Sequence, residues 1–99
     1  MERTYEPPLS KNGEILTPGA EPEIWPGVRG YAVEHSGRIF IPAVAAENEG
    51  SGDVGRFLDA VSERCVFPNV MSARLRGMLR RRGFRVVYDV DGECDVWRR

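Results

Sequence analysis

Of the side chains that most often hold metals or act as nucleophiles, this 99-residue chain has few: one histidine and two cysteines. His35 stands alone beside a turn, which argues against a histidine-based metal site. Cys65 and Cys94 lack CxxC spacing and have no histidine near them. They read as reduced, semi-buried thiols in a cytosolic protein rather than as a disulfide framework or metal ligands. Lysine is almost missing too, since thirteen of the fourteen basic residues are arginine. No apolar run approaches the roughly 20 residues that a membrane span needs. The opening Met1-Glu2-Arg3-Thr4-Tyr5-Glu6 is acidic and polar, unlike a signal peptide. The expectation is therefore one cytoplasmic domain with a modest core, no metal and no membrane partner.

The charge is unevenly spread. Residues 1–49 hold four basic against eight acidic side chains, and residues 50–99 hold ten against seven. Residues 1–30 are crowded with helix breakers, among them Pro7, Pro8, Gly13, Pro18, Gly19, Pro22, Pro26, Gly27 and Gly30, so no useful helix fits between them. They read as an extended arm pinned by Trp25, with a short hairpin across Asn12-Gly13. Residues 31–99 read as the folded core of the same domain.

Within that core the periodicity is clear. Tyr31–His35 alternates with a period of two, Ser36-Gly37 supplies a tight turn, and Arg38-Ile39-Phe40-Ile41 resumes the strand through to Ala46. Pro42 cannot donate to a ladder, so it marks a bulge or an unpaired edge. A loop at 47–52 leads to Asp53, a good N-cap. A helix from Val54 to about Glu63 follows, with Val54, Phe57, Leu58 and Val61 on one face and Arg64 at its end, where a cation suits the dipole. Cys65-Val66-Phe67 is a short strand ended by Pro68-Asn69. Ser72 caps a second helix to about Arg82, with a seam of Leu75, Met78 and Leu79 and a stop at Gly83. Phe84–Val90 and Glu93–Arg98 form a hairpin about Asp91-Gly92, favoured type I′ chemistry. The order is arm-β-β-α-β-α-β-β, an α/β (α+β) mixed sheet with a right-handed parallel crossover and helices packed on it.

In that order and spacing, residues 31–99 resemble the GNAT acyltransferases, the acetyl-CoA-dependent N-acetyltransferase superfamily. Strand 38–46, its glycine loop and helix 54–63 look like the family's cofactor-binding unit. Strand 65–68, Asn69, helix 72–82 and Gly83-Phe84 look like the unit that follows, and the final hairpin matches in position. The resemblance implies an acyl-CoA whose pantetheine lies between two splaying parallel strands and whose pyrophosphate rests on amides at a helix N-terminus. Here those groups are Val44, Gly50, Ser51, Gly52, Val54, Gly55 and Arg56, with Asn69 on the facing strand. Gly50 to Gly55 also reads as GxGxxG, but too few strands remain for a doubly wound sheet.

The chain departs from the family's pattern in three places. The loop carries Glu47, Glu49 and Asp53, where the family usually has Arg or Gln followed by small residues. Asp53 either caps its helix or disturbs an anion cradle. Leu79 stands where a tyrosine frequently acts as general acid, and leucine cannot protonate a thiolate. The family's substrate-gripping helices have no room before Tyr31. Glu47 and Glu49 are candidate bases or solvated loop residues, and Tyr88 is a candidate hydroxyl or a packing residue. Two functions follow from the resemblance: a trimmed N-acyltransferase using acetyl-CoA or another acyl-CoA to acylate an amine, or a catalytically inactive scaffold serving as a protein- or nucleic-acid-binding regulatory module. Independently of it, Arg74, Arg76, Arg80, Arg81 and Arg82 form a solvated helix face, or contact the phosphates of nucleic acid or CoA, or an acidic protein. Unpaired sheet edges in so small a domain point to a homodimer.

Overall fold

The computed structural model describes residues 3–11, 19–90 and 92–99. The hairpin proposed at Asn12-Gly13 and the turn residue Asp91 lie outside them. The elements run β1 (Glu23–Trp25), β2 (Val28–His35), β3 (Arg38–Ala46), α1 (Asp53–Ala60), β4 (Cys65–Pro68), α2 (Ala73–Arg81), β5 (Arg85–Asp89) and β6 (Cys94–Arg98). They build a six-stranded mixed sheet in the order β1-β2-β3-β4-β6-β5. β3 and β4 are parallel and joined through α1, and the other neighbouring pairs are antiparallel.

The arm is more structured than the density of breakers implies. Pro26 and Gly27 make a two-residue turn, Gly27 taking φ 81°, so Trp25 lies opposite Val28 and a short hairpin adds β1 to the sheet. Proline followed by a left-handed glycine is the pairing that a type II turn requires. Further back, Tyr5 forms a parallel bridge with Val61. Its ring meets Trp25 edge-on at 4.9 Å and Phe57 at 6.3 Å, so Trp25 does pin the arm. Ser36 and Gly37 both have positive φ, 52° and 78°, the type I′ geometry of a tight hairpin.

Both helices cover the same face of the sheet. Phe57, Leu58 and Val61 at the α1 end and Leu79 of α2 share one core cluster with Ile39, Ile41, Cys65, Phe67 and Trp97. α2 begins as its sequence predicts, with Ser72 Oγ accepting from the Leu75 N–H at 3.1 Å. It ends in a Schellman motif: Phe84 N–H reaches Leu79 O at 3.1 Å, Gly83 N–H reaches Arg80 O at 3.2 Å, and Gly83 has φ 84°.

α1 differs from expectation at both ends. Its N-cap is Gly52, left-handed at φ 83°, with no side-chain cap; Asp53 is already helical. It stops at Ala60 because Val61 turns extended (ψ 144°), with Tyr5 bonding on either side of it: Tyr5 N–H to Ala60 O, and Ser62 N–H to Tyr5 O, each 2.9 Å. Arg64 thus lies beyond the helix and ties Gly37 O, Glu6 and Glu34 together. The cation at the helix C-terminus is Arg99, which donates to Leu58 O at 3.2 Å and to Val61 O, while lying 4.2 Å from the Phe84 ring centroid. The pairing of β5 with β6 is regular from Arg85↔Arg98 to Asp89↔Cys94, and Glu93 takes φ 52° in the turn. Cys65 is buried and Cys94 half-buried, both as free thiols.

The register between β2 and β3 slips once. Tyr31 faces Ala43, but Val33 faces Phe40, so Ile41 and Pro42 together oppose Ala32. This is the bulge that Pro42 announces. Next to it the strands lie so close that a Cβ on Gly30 would fall 2.1 Å from Ala43 O.

Two stability outcomes follow. Gly30→Ala must push backbone against backbone and is expected to cost about 1–3 kcal/mol, read as a lowered urea midpoint with unchanged m. Arg99→Ala removes charge-assisted bonds to two half-buried carbonyls and is expected to cost about 1–2 kcal/mol, read as a lowered Tm in thermal unfolding by circular dichroism.

Candidate functional site

The bulge has a second consequence on its other side. β3 and β4 pair only through Ile39↔Cys65 and Phe40↔Val66. Beyond Ile41 the two parallel strands separate. The gap holds a recess of about 220 Å³, lined in part by Pro42, Val44, Pro68, Asn69 and Leu75. It adjoins a cleft of about 310 Å³ that runs from Val44 to the glycine loop and the start of α1.

The ladder shows what backbone faces this gap. Gly30 sends its N–H toward β1, to Pro22 O at 3.0 Å, and Gly27 O accepts from Glu47 N–H at 2.9 Å. Opposed residues of an antiparallel pair alternate between bonded and non-bonded pairs. Gly30↔Val44 and Val28↔Ala46 are therefore non-bonded pairs, and the N–H groups of Val44 and Ala46 point away from β2, toward the side where β4 has diverged. Two outward donors two residues apart suit an extended amide-bearing chain.

At the far end of the cleft, Gly50 and Gly52 both adopt left-handed φ (80° and 83°) and lead into α1. The first intrahelical bond is Arg56 N–H to Gly52 O, 3.1 Å. Asp53 N–H meets Ser51 Oγ at 3.3 Å. The N–H groups of Val54 and Gly55 have no acceptor among the described residues. The Asp53 carboxylate does not occupy them. It accepts from Ser51 Oγ at 2.9 Å and pairs with the Arg56 guanidinium. Those contacts, the Ser51 hydrogen bond first, hold its carboxyl below the ordinary range. Arg56 is thereby committed to the loop itself, donating also to Ser51 O at 3.1 Å, and does not line the cleft. Gly55 lines it, and its missing side chain also leaves room for Arg82, whose Nη2 lies 2.7 Å from where a Cβ would sit.

α2 closes the cleft with Arg74, Leu75 and Met78. Leu79 points into the core and is fully buried, so the position expected to carry a general acid does not face the cleft at all. The helix arginines divide by use. Arg76 donates to Val70 O and Met71 O at 3.3 Å each, Arg80 lies 5.4 Å from the Trp97 ring centroid, and Arg82 pairs with Asp59 at 2.8 Å. The side chains of Arg74 and Arg81 make no hydrogen bond or ion pair among the described residues, and of the two only Arg74 lines the cleft.

The structure thus gathers Val44, Glu49, Gly50, Ser51, Gly52, Val54 and Gly55 around one cleft, with Asn69 in the adjoining recess. Asn69 holds φ 50° and donates its N–H to Asp95 O at 3.0 Å, so it turns the chain out of β4. Glu47 lies outside the cleft, paired with Arg29 at 2.7 Å. Tyr88 is 62% exposed on β5 and borders a separate depression with His35 and Arg98 that shares no residue with the cleft. Sequence reasoning missed the Ala46 N–H, the distinct place of Arg74 among the arginines, and Glu21 at the rim of the recess. The Pro42 bulge is the one local signal that leads to the first of these.

The loop electrostatics are testable. A carboxyl depressed in the folded state contributes stability above its unfolded pKa and loses it as pH falls through the folded value. Arg56→Ala is expected to move the Asp53 titration midpoint upward, toward the ordinary carboxylate value, in a carbon-detected NMR titration, while Tyr88→Phe leaves it unchanged. No protein-family model, curated protein or solved structure matches the chain.

Proposed function

We propose that this chain is a trimmed GNAT-like N-acyltransferase that takes an acyl-CoA, such as acetyl-CoA, into the cleft between β3 and β4 and passes the acyl group to an amine. The observation that carries the reading is the divergence of this parallel pair at Pro42, with the Val44 and Ala46 N–H groups turned toward the gap and the start of α1 at its end. An extended pantetheine arm has amides that match those donors. A pyrophosphate at the α1 end would meet the N–H groups of Val54 and Gly55 and the positive end of the helix dipole. Arg74 supplies the cation. Asp53 is already neutralised by Arg56, which leaves Glu49 as the opposing carboxylate beside the loop.

The chemistry this supports is direct transfer. The acceptor reacts as its neutral amine, its ammonium proton left to solvent. The nitrogen attacks the thioester carbonyl, the carbonyl oxygen gains charge against the Val44 N–H, and the C–S bond breaks. The proton lost from nitrogen goes to the departing sulfur, so that amide and thiol are released. Positioning supplies most of the rate. Glu49 borders the anion-binding end, away from the Pro42 recess, so it is a poor candidate for the base. Glu21 borders that recess, and its own N–H and that of Gly19 hold its carboxyl low. An anionic Glu21 draws a cationic amine to this end.

A second reading is a non-catalytic binding module on the same scaffold. It is favoured by the α2 side chains at the cleft: Arg74, Leu75 and Met78 include no proton donor matched to a leaving thiolate.

Calorimetric titration with acetyl-CoA tests both. Binding is expected, and Arg74→Glu is expected to weaken it about tenfold or more through loss of a charge-assisted contact. Thiol release with a panel of primary amines then separates the readings: turnover supports the transferase, and binding without turnover supports the module. No binding at millimolar acetyl-CoA removes the cleft assignment.

A further inference from the structure

We propose that β5 is a homodimer edge, pairing antiparallel with β5 of a second copy about a two-fold axis at Val87. β5 closes one end of the sheet, so one side of its backbone has no strand partner among the described residues. Edge strands are ordinarily blunted by lysine, proline or a bulge. β5 is Arg85-Val86-Val87-Tyr88-Asp89, with none of these and no slip in its pairing to β6. Its large apolar side chains are also left in water: Val86 is 49% exposed and Tyr88 62%, with Val90 just beyond at 75%.

The sequence of the strand selects the occupant. When it runs antiparallel to itself about Val87, Arg85 falls opposite Asp89 of the other copy, Val86 opposite Tyr88, and Val87 opposite itself. Each ion pair occurs twice by symmetry, and so does each aliphatic–aromatic pair, the two cross-strand combinations that stabilise a sheet. Beyond the backbone ladder with β6, the side chains of Arg85 and Asp89 make no hydrogen bond or ion pair among the described residues, and the Asp89 carboxylate rests beside Gly92 of the turn. A register shifted by two residues loses the charge match, and one shifted by a single residue places Val86 and Tyr88 on opposite faces. The result is an isologous contact that joins two six-stranded sheets into one. Five residue pairs make a short interface, so the dimer forms in the micromolar range rather than obligatorily.

Sedimentation equilibrium of the full chain from micromolar to millimolar concentration tests this. The wild type is expected to show a reversible shift from one chain to two. Arg85→Asp and Asp89→Arg each set like charges opposite one another and are expected to weaken the dimer about tenfold or more. The double variant restores opposite charges at both positions and is expected to dimerise within a few-fold of wild type. Val86→Lys keeps those charges and is expected to give a monomer. A wild type that stays monomeric throughout overturns the proposal. So does a dimer indifferent to the single swaps, or a double variant no tighter than the singles. None of these positions borders the cleft, so the outcome is independent of the acyl-CoA reading.

Discussion

The arrangement of this domain depends on one missing N–H. Pro42 lies in the middle of the longest strand, where a ladder needs a donor from every second residue on each side, and proline has none to give. The strand accommodates it by spending two residues, Ile41 and Pro42, opposite the single residue Ala32. Before that point β3 is held by β2 on one side and β4 on the other. After it, β3 keeps β2 and loses β4. The core-facing alternation is also reset, which brings Val44 round to the helix side, partly buried against the core. One residue without a donor thereby produces a gap inside a sheet that its own pairing would otherwise close.

A second theme is the use of arginine as internal mortar. In a domain with so little apolar material to bury, guanidinium groups take over several joints. Arg99 closes the end of α1, Arg82 fastens α2 to α1 across Gly55, and Arg64 holds the arm to the β2–β3 turn. Such joints suit arginine because its planar fork makes several directional bonds while its stem still packs against neighbours. They also divide the charge of the basic half of the chain: Arg82 and Arg99 are half-buried against a carboxylate, carbonyls and a ring, while Arg74, Arg81 and Arg85 stay exposed.

What could be read from the sequence follows a physical boundary. Where a residue's own chemistry dictates local backbone, the reading holds: the Ser36-Gly37 turn, the break at Pro42, the Ser72 cap and the Gly83 stop all appear where expected. Where the deciding partner is distant in sequence, the reading fails. Val61 continues the helical face by periodicity, yet it leaves the helix because Tyr5 claims the neighbouring backbone. β1 exists because β2 offers it an edge, and three residues among prolines carry no periodic signal of their own. The candidate site divides in the same way. The glycine loop is visible as a motif, whereas the neighbour that neutralises Asp53, the burial of Leu79 and the exposure of Arg74 to the cleft are set by packing.

The end of α1 is the meeting place of chain positions that are far apart. Tyr5 bonds on one side of it and Arg99 on the other, two residues far apart in sequence. Closing so large a loop is entropically costly and slow, and no local contact can substitute for it. As the chain is synthesised, α1 has its helical sequence but not its clamp until Arg99 emerges. Phe57 can meet Tyr5 and Trp25 before then, but the carbonyls of Leu58 and Val61 gain their guanidinium donor only at that late point.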